Sequence, residues 1–329
     1  MSAPRVPPQP PSVLVTRRLP EAVEARLTAQ FRTMLSESDE PVRRDALEAA
    51  MREHDALLTT ITDRIDAALI ASEGRRVRII ANFGTGTDHI DVDAARRAGI
   101  VVTNTPDALT EAAAEMTILL MLMAARRAGE GERVLRAGEW EGWGPTHMIG
   151  QGLAGRTLGL VGFGRIAQRT AAKARGLGMS VRYFSRSRAP AEVETELGAT
   201  PAESLAALAA EADVLSLHVP GGPATRHLID REMLTRMKPT AILVNTARGS
   251  VVDEAALAEA LAERRIGAAG LDVYEREPEV EPMLLLLPNV VLLPHLGSAT
   301  IEARTAMGMQ AADNLEDYFS GRQPRNRVA

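Results

Sequence analysis

The sequence predicts an α/β protein built from two doubly wound, parallel-sheet domains. Two stretches, residues 13–103 and 157–293, alternate short apolar runs with segments of helical periodicity. Such alternation is typical of parallel strands whose connecting helices cover both faces of a sheet. Within the second stretch, VGFGRIAQ at 161–168 is typical of a strand that ends at a tight glycine turn and opens into a helix. A chain of 329 residues is long enough for two such domains.

The first stretch contains four predicted strands and three predicted helices. The strands are VLVT at 13–16, ALLTTI at 56–61, VRIIAN at 77–82 and IVVTN at 100–104. The helices are expected over 21–30, 41–53 and 62–72, with Thr62 as the cap of the third. A long apolar helix capped by Thr110 is predicted next, over 110–128.

Six further strands are predicted, as expected of a complete doubly wound nucleotide-binding domain. They are 157–162, 181–185, 213–219, 241–245, 268–273 and 290–294. The last helix, over 298–320 and ending at Gly321, has no strand of its own, so we expect it to pack on the first domain. The predicted domains are a tail over 1–11, a discontinuous domain over 12–105 and 296–329, and an inserted domain over 106–295.

The composition narrows the class of protein. A net charge of −5 indicates neither a nucleic acid nor an anionic membrane as partner. The absence of cysteine excludes disulfides and thiolate metal sites, and the histidines show no metal-ligand spacing. The start, MSAPRVPPQPPS, lacks the apolar region of a signal peptide and is expected to be disordered. Because the longest apolar run, near 116–125, is too short to span a membrane, we expect a soluble cytoplasmic protein.

The glycine turn has the residue types that a dinucleotide requires. Gly162 and Gly164 permit a tight turn and a close approach of the backbone to a pyrophosphate. The helix that starts near Arg165 would direct its free N–H groups and the positive end of its dipole at that anion. Ala167 replaces the third glycine, and its methyl group still allows close packing of helix on strand. The alternative is a glycine-rich turn that binds no nucleotide.

The end of the second strand of this domain indicates which dinucleotide binds. An acidic side chain ordinarily bonds the ribose hydroxyls of NAD at this place. The chain instead has Ser185, Arg186, Ser187 and Arg188. No carboxylate is there to repel a 2′-phosphate, and two guanidiniums are available to bind one. We therefore predict NADP ahead of NAD, with the alternative that the arginines are solvated charges.

Three polar residues follow strands of the second domain, where open α/β sheets bind ligands. They are Arg248, Glu277 and His295. The segments around them, NTARGSVVDEAAL, GLDVYEREP and LPHLGSAT, resemble the three signature regions of the D-2-hydroxyacid dehydrogenases. With the glycine turn and the FGTGTDHID loop, the resemblance covers nearly all of residues 12–320. It implies a Rossmann cofactor domain inserted into a flavodoxin-like substrate domain.

The resemblance implies reduction of a 2-oxo acid, and the three side chains suit that chemistry. Arg248 has a planar, permanent charge that can orient the substrate carboxylate and polarise the ketone. Protonated His295 can donate a proton to the ketone oxygen as hydride arrives. Glu277 near the other ring nitrogen would favour imidazolium and fix the tautomer.

Further site residues are implied position by position. The backbone amides of Thr85 and Gly86 match the loop that holds the substrate carboxylate, and Asp272 matches the aspartate that bonds the nicotinamide carboxamide. The expected cofactor contacts are Thr85, Gly162, Gly164, Arg165, Ile166, Ser185, Arg186, Ser187, Arg188, Val219, Thr246, Ala247, Asp272, His295 and Gly297. Ala113 and Ala167 depart from the family pattern, although neither removes a group that the reaction requires.

WEGWGPTHMIGQGLAG at 140–155 resembles the glyoxylate/hydroxypyruvate reductase branch of this family. The resemblance implies that Trp143 contacts substrate in the active site of a partner subunit; the alternative is an ordinary anchor at a dimer interface. The apolar helix 110–128 and the segment 130–150 are accordingly expected to build a homodimer.

The predicted function is NADPH-preferring reduction of small 2-oxo acids such as glyoxylate or hydroxypyruvate. One alternative is a broader NAD(P)-dependent D-2-hydroxyacid dehydrogenase for larger 2-oxo acids. The other is a non-catalytic, dinucleotide-sensing co-regulator. The intact set of Arg248, Glu277 and His295 favours an enzyme, because a sensor need not keep all three.

Overall fold

The structure is a computed structural model that describes residues 9–329. Most of the predicted tail over 1–11 therefore lies outside the described residues. The chain divides into two compact units. The discontinuous unit comprises the residues up to Leu109 together with Ala299–Ala329, and the inserted unit is Thr110–Ser298. The boundaries predicted at 105/106 and 295/296 lie a few residues from these.

The N-terminal part of the discontinuous unit is a parallel sheet with short helices. Its elements are β1 (Ser12–Val15), α1 (Glu21–Gln30), β2 (Arg32–Met34), α2 (Arg44–Glu53), β3 (Ala56–Thr59), α3 (Ala67–Ile70), β4 (Ile79–Asn82), α4 (Val92–Arg97) and β5 (Val101–Thr103). Within residues 9–329 the strand order of this sheet is β2-β1-β3-β4-β5, and every pair is parallel. This is the flavodoxin-like order, as predicted.

Successive residues of each strand point to opposite faces of this sheet and build two separate cores. Leu57 and Ile80 pack on one face with Met51 of α2. The next residue on β3, Leu58, packs on the other face with Leu27 of α1. Because both faces are covered, the strands are apolar without interruption, which is why the sequence showed them as continuous runs.

The elements of this unit differ from the predicted ones in three places. Strand β2 was not predicted, because its three residues are mostly exposed and have no apolar alternation. Helix α4 was also not predicted. The helix expected over 62–72 covers only Ala67–Ile70, and the prediction of Thr62 as its cap is wrong: the carboxylate of Asp66 caps it by accepting the N–H of Leu69 at 3.0 Å.

The inserted unit continues the alternation of helices and strands. Its elements are α5 (Thr110–Ala125), α6 (Ala128–Ala137), β6 (Thr157–Val161), α7 (Arg165–Gly176), β7 (Ser180–Phe184), α8 (Ala191–Leu197), β8 (Ala199–Pro201), α9 (Leu205–Glu211), β9 (Val214–Leu217), α10 (Arg231–Arg236), β10 (Ile242–Asn245), α11 (Glu254–Ala262), β11 (Ala268–Leu271), α12 (Pro282–Leu286) and β12 (Val290–Leu292).

The sheet of the inserted unit has the strand order of a dinucleotide-binding fold. Within the described residues the order is β12-β11-β10-β9-β6-β7-β8, again all parallel. Counted from β6, this is the 3-2-1-4-5-6 order of the Rossmann fold extended by one strand. The predicted fold class is confirmed, but the prediction of six strands missed the edge strand β8, whose three residues end in proline.

The apolar helix predicted over 110–128 is shorter than expected. It ends at Ala125, because Arg127 adopts a left-handed φ of 54° and a new helix, α6, follows. Thr110 is the first helical residue rather than the cap, and its Oγ1 has no hydrogen-bond partner among the described residues. Helix α5 buries Leu120 and Met121, whereas Leu119 is 44% exposed.

The chain returns to the discontinuous unit with helix α13 (Ile301–Phe319), which packs on α1 and β4. Gly308 permits a close approach, since a Cβ there would lie 2.5 Å from Val23 of α1. After α13 the backbone N–H of Val328 donates to Val102 of β5 at 2.7 Å. No helix in the part of the chain that the structure describes is long and apolar enough to cross a membrane.

Candidate active site

Three adjacent strands bring the predicted catalytic residues to one edge of the inserted sheet. Strands β10, β11 and β12 are parallel neighbours, so their carboxyl ends meet at the same edge. Arg248 follows β10, Glu277 follows β11 and His295 follows β12. The pattern of strands in the sequence was sufficient to predict this placement.

His295 and Glu277 form a hydrogen-bonded pair. The distance from His295 Nδ1 to Glu277 Oε2 is 2.8 Å, and both side chains are about one-third exposed. The other oxygen of Glu277, Oε1, accepts the backbone N–H of Tyr274 at 3.0 Å. Burial raises the pKa of Glu277, but the hydrogen bond and charge of His295, the N–H of Tyr274 and the charge of Arg248 together hold it below its ordinary value. Glu277 is therefore a carboxylate at neutral pH and fixes the proton of His295 on Nδ1.

The backbone around His295 is unusual and is held by Asp272. His295 has a φ of 55°, in the left-handed region that residues with a side chain seldom adopt. Asp272 is buried, and its two oxygens accept the N–H groups of Leu296 and Gly297, each at 2.7 Å. The N–H of His295 donates to the Asp272 carbonyl at 2.9 Å. Asp272 thus orients the turn that carries His295, a contact that the sequence did not predict; its bond to a nicotinamide carboxamide stays a prediction.

The turn that carries Arg248 is fixed by Asn245, which sequence reasoning missed. The Nδ2 of buried Asn245 donates to the Arg248 carbonyl at 2.9 Å, and its Oδ1 accepts the N–H of Ala247 at 3.0 Å. The hydroxyl of Thr246 lies 2.8 Å from the hydroxyl of Thr117 on α5. A polar residue at the end of an otherwise apolar strand was the signal that could have identified Asn245.

The Arg248 turn packs directly on the segment that leads to Glu277. A Cβ at Gly249 would lie 1.8 Å from the carbonyl carbon of Tyr274, so this position accepts only glycine without backbone movement. Nearby, the carboxylate of buried Glu254 accepts the N–H of Glu275 at 2.7 Å. Neither Gly249 nor Glu254 was predicted as a site residue, because each acts on backbone that is distant in the sequence.

The glycine turn has the geometry that a bound pyrophosphate requires. Gly162 has a φ of 88°, and a Cβ there would lie 2.8 Å from the carbonyl oxygen of His218. Gly164 immediately precedes α7, whose first residue is Arg165. The side chain of Val219 borders the turn, within 3.1 Å of a Cβ built on Gly162. The residues present therefore fit a dinucleotide at the N-terminus of α7.

The two arginines after β7 differ in their surroundings. Arg186 is exposed and has no hydrogen bond or ion pair within residues 9–329. Arg188 instead forms a two-point ion pair with Glu194, from Nε to Oε1 at 3.0 Å and from Nη2 to Oε2 at 2.9 Å. The charge of Arg188 thus has a carboxylate partner, and the expectation that Arg188 contacts a 2′-phosphate stays a prediction.

In the discontinuous unit, Asn82 holds the loop of Thr85 and Gly86. Buried Asn82 donates from Nδ2 to the carbonyls of Gly84 at 3.0 Å and Gly86 at 2.9 Å, and its Oδ1 lies 3.0 Å from His89 Nε2. Within the described residues, the N–H groups of Thr85 and Gly86 donate no hydrogen bond. A loop with fixed carbonyls and open N–H groups suits an anion.

Comparison with known proteins assigns the family. Residues 118–297 match the NAD binding domain of the D-isomer specific 2-hydroxyacid dehydrogenases. The chain is 48% identical over 324 residues to a glyoxylate reductase of Aeropyrum pernix and 44% identical over 322 residues to one of Thermococcus litoralis; each match covers 97% of this chain and 96% of the relative. It also superposes with a TM-score of 0.85 on an NADPH-dependent glyoxylate/hydroxypyruvate reductase of Sinorhizobium meliloti solved with NADP and malonate, at 37% identity over 98% of this chain and 97% of that one. With these matches the expectation from the motifs is confirmed, and the chain belongs to the family of D-isomer specific 2-hydroxyacid dehydrogenases, which are NAD(P)-dependent oxidoreductases.

Proposed function

We propose that this protein reduces small 2-oxo acids such as glyoxylate and hydroxypyruvate to 2-hydroxy acids, with NADPH preferred to NADH. The observation that carries the proposal is the His295–Glu277 pair at 2.8 Å, next to the fixed turn of Arg248. The names of the relatives support the class of substrate.

The nicotinamide, when bound, supplies the hydride. Glu277 keeps one proton of His295 on Nδ1, so Nε2 is the atom that donates a proton to the ketone oxygen. The guanidinium of Arg248 stabilises the negative charge that develops on that oxygen and orients the substrate carboxylate. In the discontinuous unit, the N–H groups of Thr85 and Gly86, which donate no hydrogen bond within the described residues, are assigned to binding a carboxylate. In the reverse direction neutral His295 takes the proton back.

Residues of the inserted unit would hold the dinucleotide. The pyrophosphate would lie on the N–H groups at Gly164, Arg165 and Ile166, where the turn and the helix dipole favour an anion. We assign Thr246, Ala247, Asp272 and Gly297 to the surroundings of the nicotinamide ring. Ser185, Arg186 and Ser187 would surround the 2′-phosphate.

The preference for NADPH is supported by the end of β7. The position that ordinarily has an acid is Ser185, and the guanidinium of Arg186 has no partner within the described residues. A 2′-phosphate would gain a charge-assisted hydrogen bond from Arg186, whereas the ribose of NADH has no such gain.

A panel of 2-oxo acids assayed with both cofactors tests the proposal. We expect the highest kcat/KM with glyoxylate or hydroxypyruvate and NADPH, and lower values with 2-oxo acids of larger side chain. Equal efficiency with NADH would contradict the cofactor preference, and higher efficiency with large 2-oxo acids would favour the broader dehydrogenase. Tight nucleotide binding without turnover on any 2-oxo acid would favour the sensing role instead.

A further inference from the structure

The ion pair between Arg188 and Glu194 closes the loop that follows β7. The guanidinium of Arg188 is 70% exposed, whereas the carboxylate side chain of Glu194 is only 10% exposed. The two hydrogen bonds of 3.0 and 2.9 Å have the paired geometry that makes an arginine–carboxylate contact directional. The carboxylate therefore holds the arginine at a defined position on the surface of the loop.

Glu194 is itself fixed by Tyr183 on β7. The Tyr183 hydroxyl donates to Glu194 Oε1 at 2.5 Å and accepts the N–H of Ala189 at 3.0 Å. The Tyr183 ring is buried and stacks on Phe163, with ring centroids 4.0 Å apart. Since Phe163 lies between the two glycines of the glycine turn, the stacked rings and the Tyr183 hydroxyl connect that turn to the carboxylate of Glu194. Hydrogen bonds from Arg188 and Tyr183 hold the pKa of Glu194 below its ordinary value, so it is charged at neutral pH.

The sequence predicts that two arginines, Arg186 and Arg188, lie near a 2′-phosphate. Arg186 has no hydrogen bond or ion pair within the described residues, whereas the charge of Arg188 is offset by Glu194. We propose that Glu194 is a specificity-determining residue, which withholds Arg188 from the 2′-phosphate and leaves discrimination between NADPH and NADH to Arg186. The proposal rests on the proposed preference for NADPH. It implies that the preference for NADPH over NADH is weaker than it would be if both arginines contacted the 2′-phosphate.

The test uses the Glu194→Gln variant of the full chain, with adenosine 2′,5′-bisphosphate and 5′-AMP as probes of the phosphate contact alone. Dissociation constants of both probes, and of NADPH and NADH, are measured by calorimetry. Removal of the carboxylate should raise the preference for the 2′-phosphorylated probe by about two- to fivefold, within the range of an exposed ion-pair contact. Glu192→Gln is the matched control, because Glu192 is an exposed acid of the same helix outside the Arg188 contact. That control should change the preference little.

A second comparison separates release of Arg188 from simple loss of a negative charge. Arg188→Ala should change the preference little in the wild type but abolish the gain in the Glu194→Gln background. A gain that persists in the double variant would overturn the proposal, because the effect would then not pass through Arg188. An unchanged preference in Glu194→Gln, with unaltered melting temperature, would overturn it as well.

The same data distinguish failure of this inference from failure of the proposed function. A wild type that binds both probes equally contradicts the preference for NADPH. In that case the Glu194→Gln variant must still gain a preference if the carboxylate withholds Arg188. A wild type that prefers the 2′-phosphate, with a variant that gains nothing, contradicts only the role of Glu194.

Discussion

At the scale of the residue, the proposed chemistry depends on the restricted conformation of His295. Its backbone lies in the left-handed region with a φ of 55°, and three N–H groups of the turn from His295 to Gly297 donate to Asp272. Its ring is held at Nδ1 by Glu277. Conformations of this kind persist where the surroundings impose them, and they concentrate at functional sites. These hydrogen bonds therefore hold the ring of His295, and with it Nε2, in one orientation before the reaction begins.

Replacement of His295 by alanine tests the proton donor. We expect turnover of glyoxylate to fall by about 10²- to 10⁴-fold, the usual loss when a general acid is removed. Nucleotide affinity should change little, because the imidazole acts on the ketone oxygen. The measurement is kcat together with the dissociation constant of NADPH. His147→Ala, which removes an exposed histidine, is the control, and near-normal kcat in His295→Ala would show that another group donates the proton.

Glu277→Gln tests the pairing through pH. An amide cannot stabilise imidazolium as a carboxylate does, so the pH at which reduction falls to half should move to lower values. A profile of kcat/KM against pH measures this, and an unchanged profile would count against the pairing.

The same carboxylate links stability to pH. The folded-state pKa of Glu277 lies below the ordinary value of 4.5, so its contribution to stability is complete above about that pH and is lost as pH falls through the lowered pKa. Urea unfolding of wild type and Glu277→Gln should therefore differ more at pH 7 than at pH 3. A difference that does not depend on pH would contradict this assignment.

At the scale of the element, the site is assembled where the ends of β10 and β11 touch. Gly249 lies against the backbone of Tyr274, and Glu254 at the start of α11 binds the N–H of Glu275. These contacts join the turn of Arg248 to the segment of Glu277, although the two are far apart in the sequence. Their geometry leaves no space for an added methyl group.

Gly249→Ala tests this packing. The added Cβ would overlap the Tyr274 carbonyl carbon, and overpacking of this kind costs about 1–3 kcal/mol. We expect a lower free energy of unfolding and a lower kcat, because Arg248 is displaced with the turn. Gly176→Ala is the matched control: its Cβ meets nothing within 4 Å at the end of α7, and the change should stabilise by about 0.5–1 kcal/mol. Normal stability and activity in Gly249→Ala would refute the close contact.

At the scale of the whole molecule, exposed apolar side chains indicate self-association. The segment after α5 exposes Leu135 (61%), Trp140 (52%), Trp143 (85%) and Ile149 (65%). Apolar groups clustered in this way are typical of a surface that another chain covers. We propose a homodimer built by α5, α6 and the segment 130–150, in which Trp143 reaches the active site of the partner subunit.

Trp143→Ala tests the shared site. We expect the KM for glyoxylate to rise about tenfold, equivalent to about 1.4 kcal/mol, while the sedimentation coefficient stays that of a dimer. Leu286→Ala, at an 83% exposed position on α12, is the control for loss of an exposed apolar side chain. A fully active monomer at micromolar concentration would refute both the interface and the contribution of Trp143.

Much of the fold and part of the site could be predicted from the amino-acid sequence. Strand ends near Asn245, Leu271 and Leu292 follow from local apolar runs, and parallel pairing places whatever follows them at one edge of the sheet. The left-handed φ of Gly162 is likewise a local requirement of a tight turn. Because these features depend on residues that are neighbours in the sequence, the local sequence pattern predicts them.

Other features depend on partners that are distant in the sequence. The edge strands β2 and β8 are too short and exposed to show alternation, and their pairing is set by the strand beside them. The carboxylate of Asp272 accepts the N–H of Gly297 only because the pairing of β11 with β12 brings the two residues together. The sequence predicted no partner for Arg188, whereas the fold of α8 brings Glu194 Oε1 to 3.0 Å from Arg188 Nε. Hydrogen bonds and ion pairs form between groups that meet in space, and only the packed sheet and helices determine which groups meet.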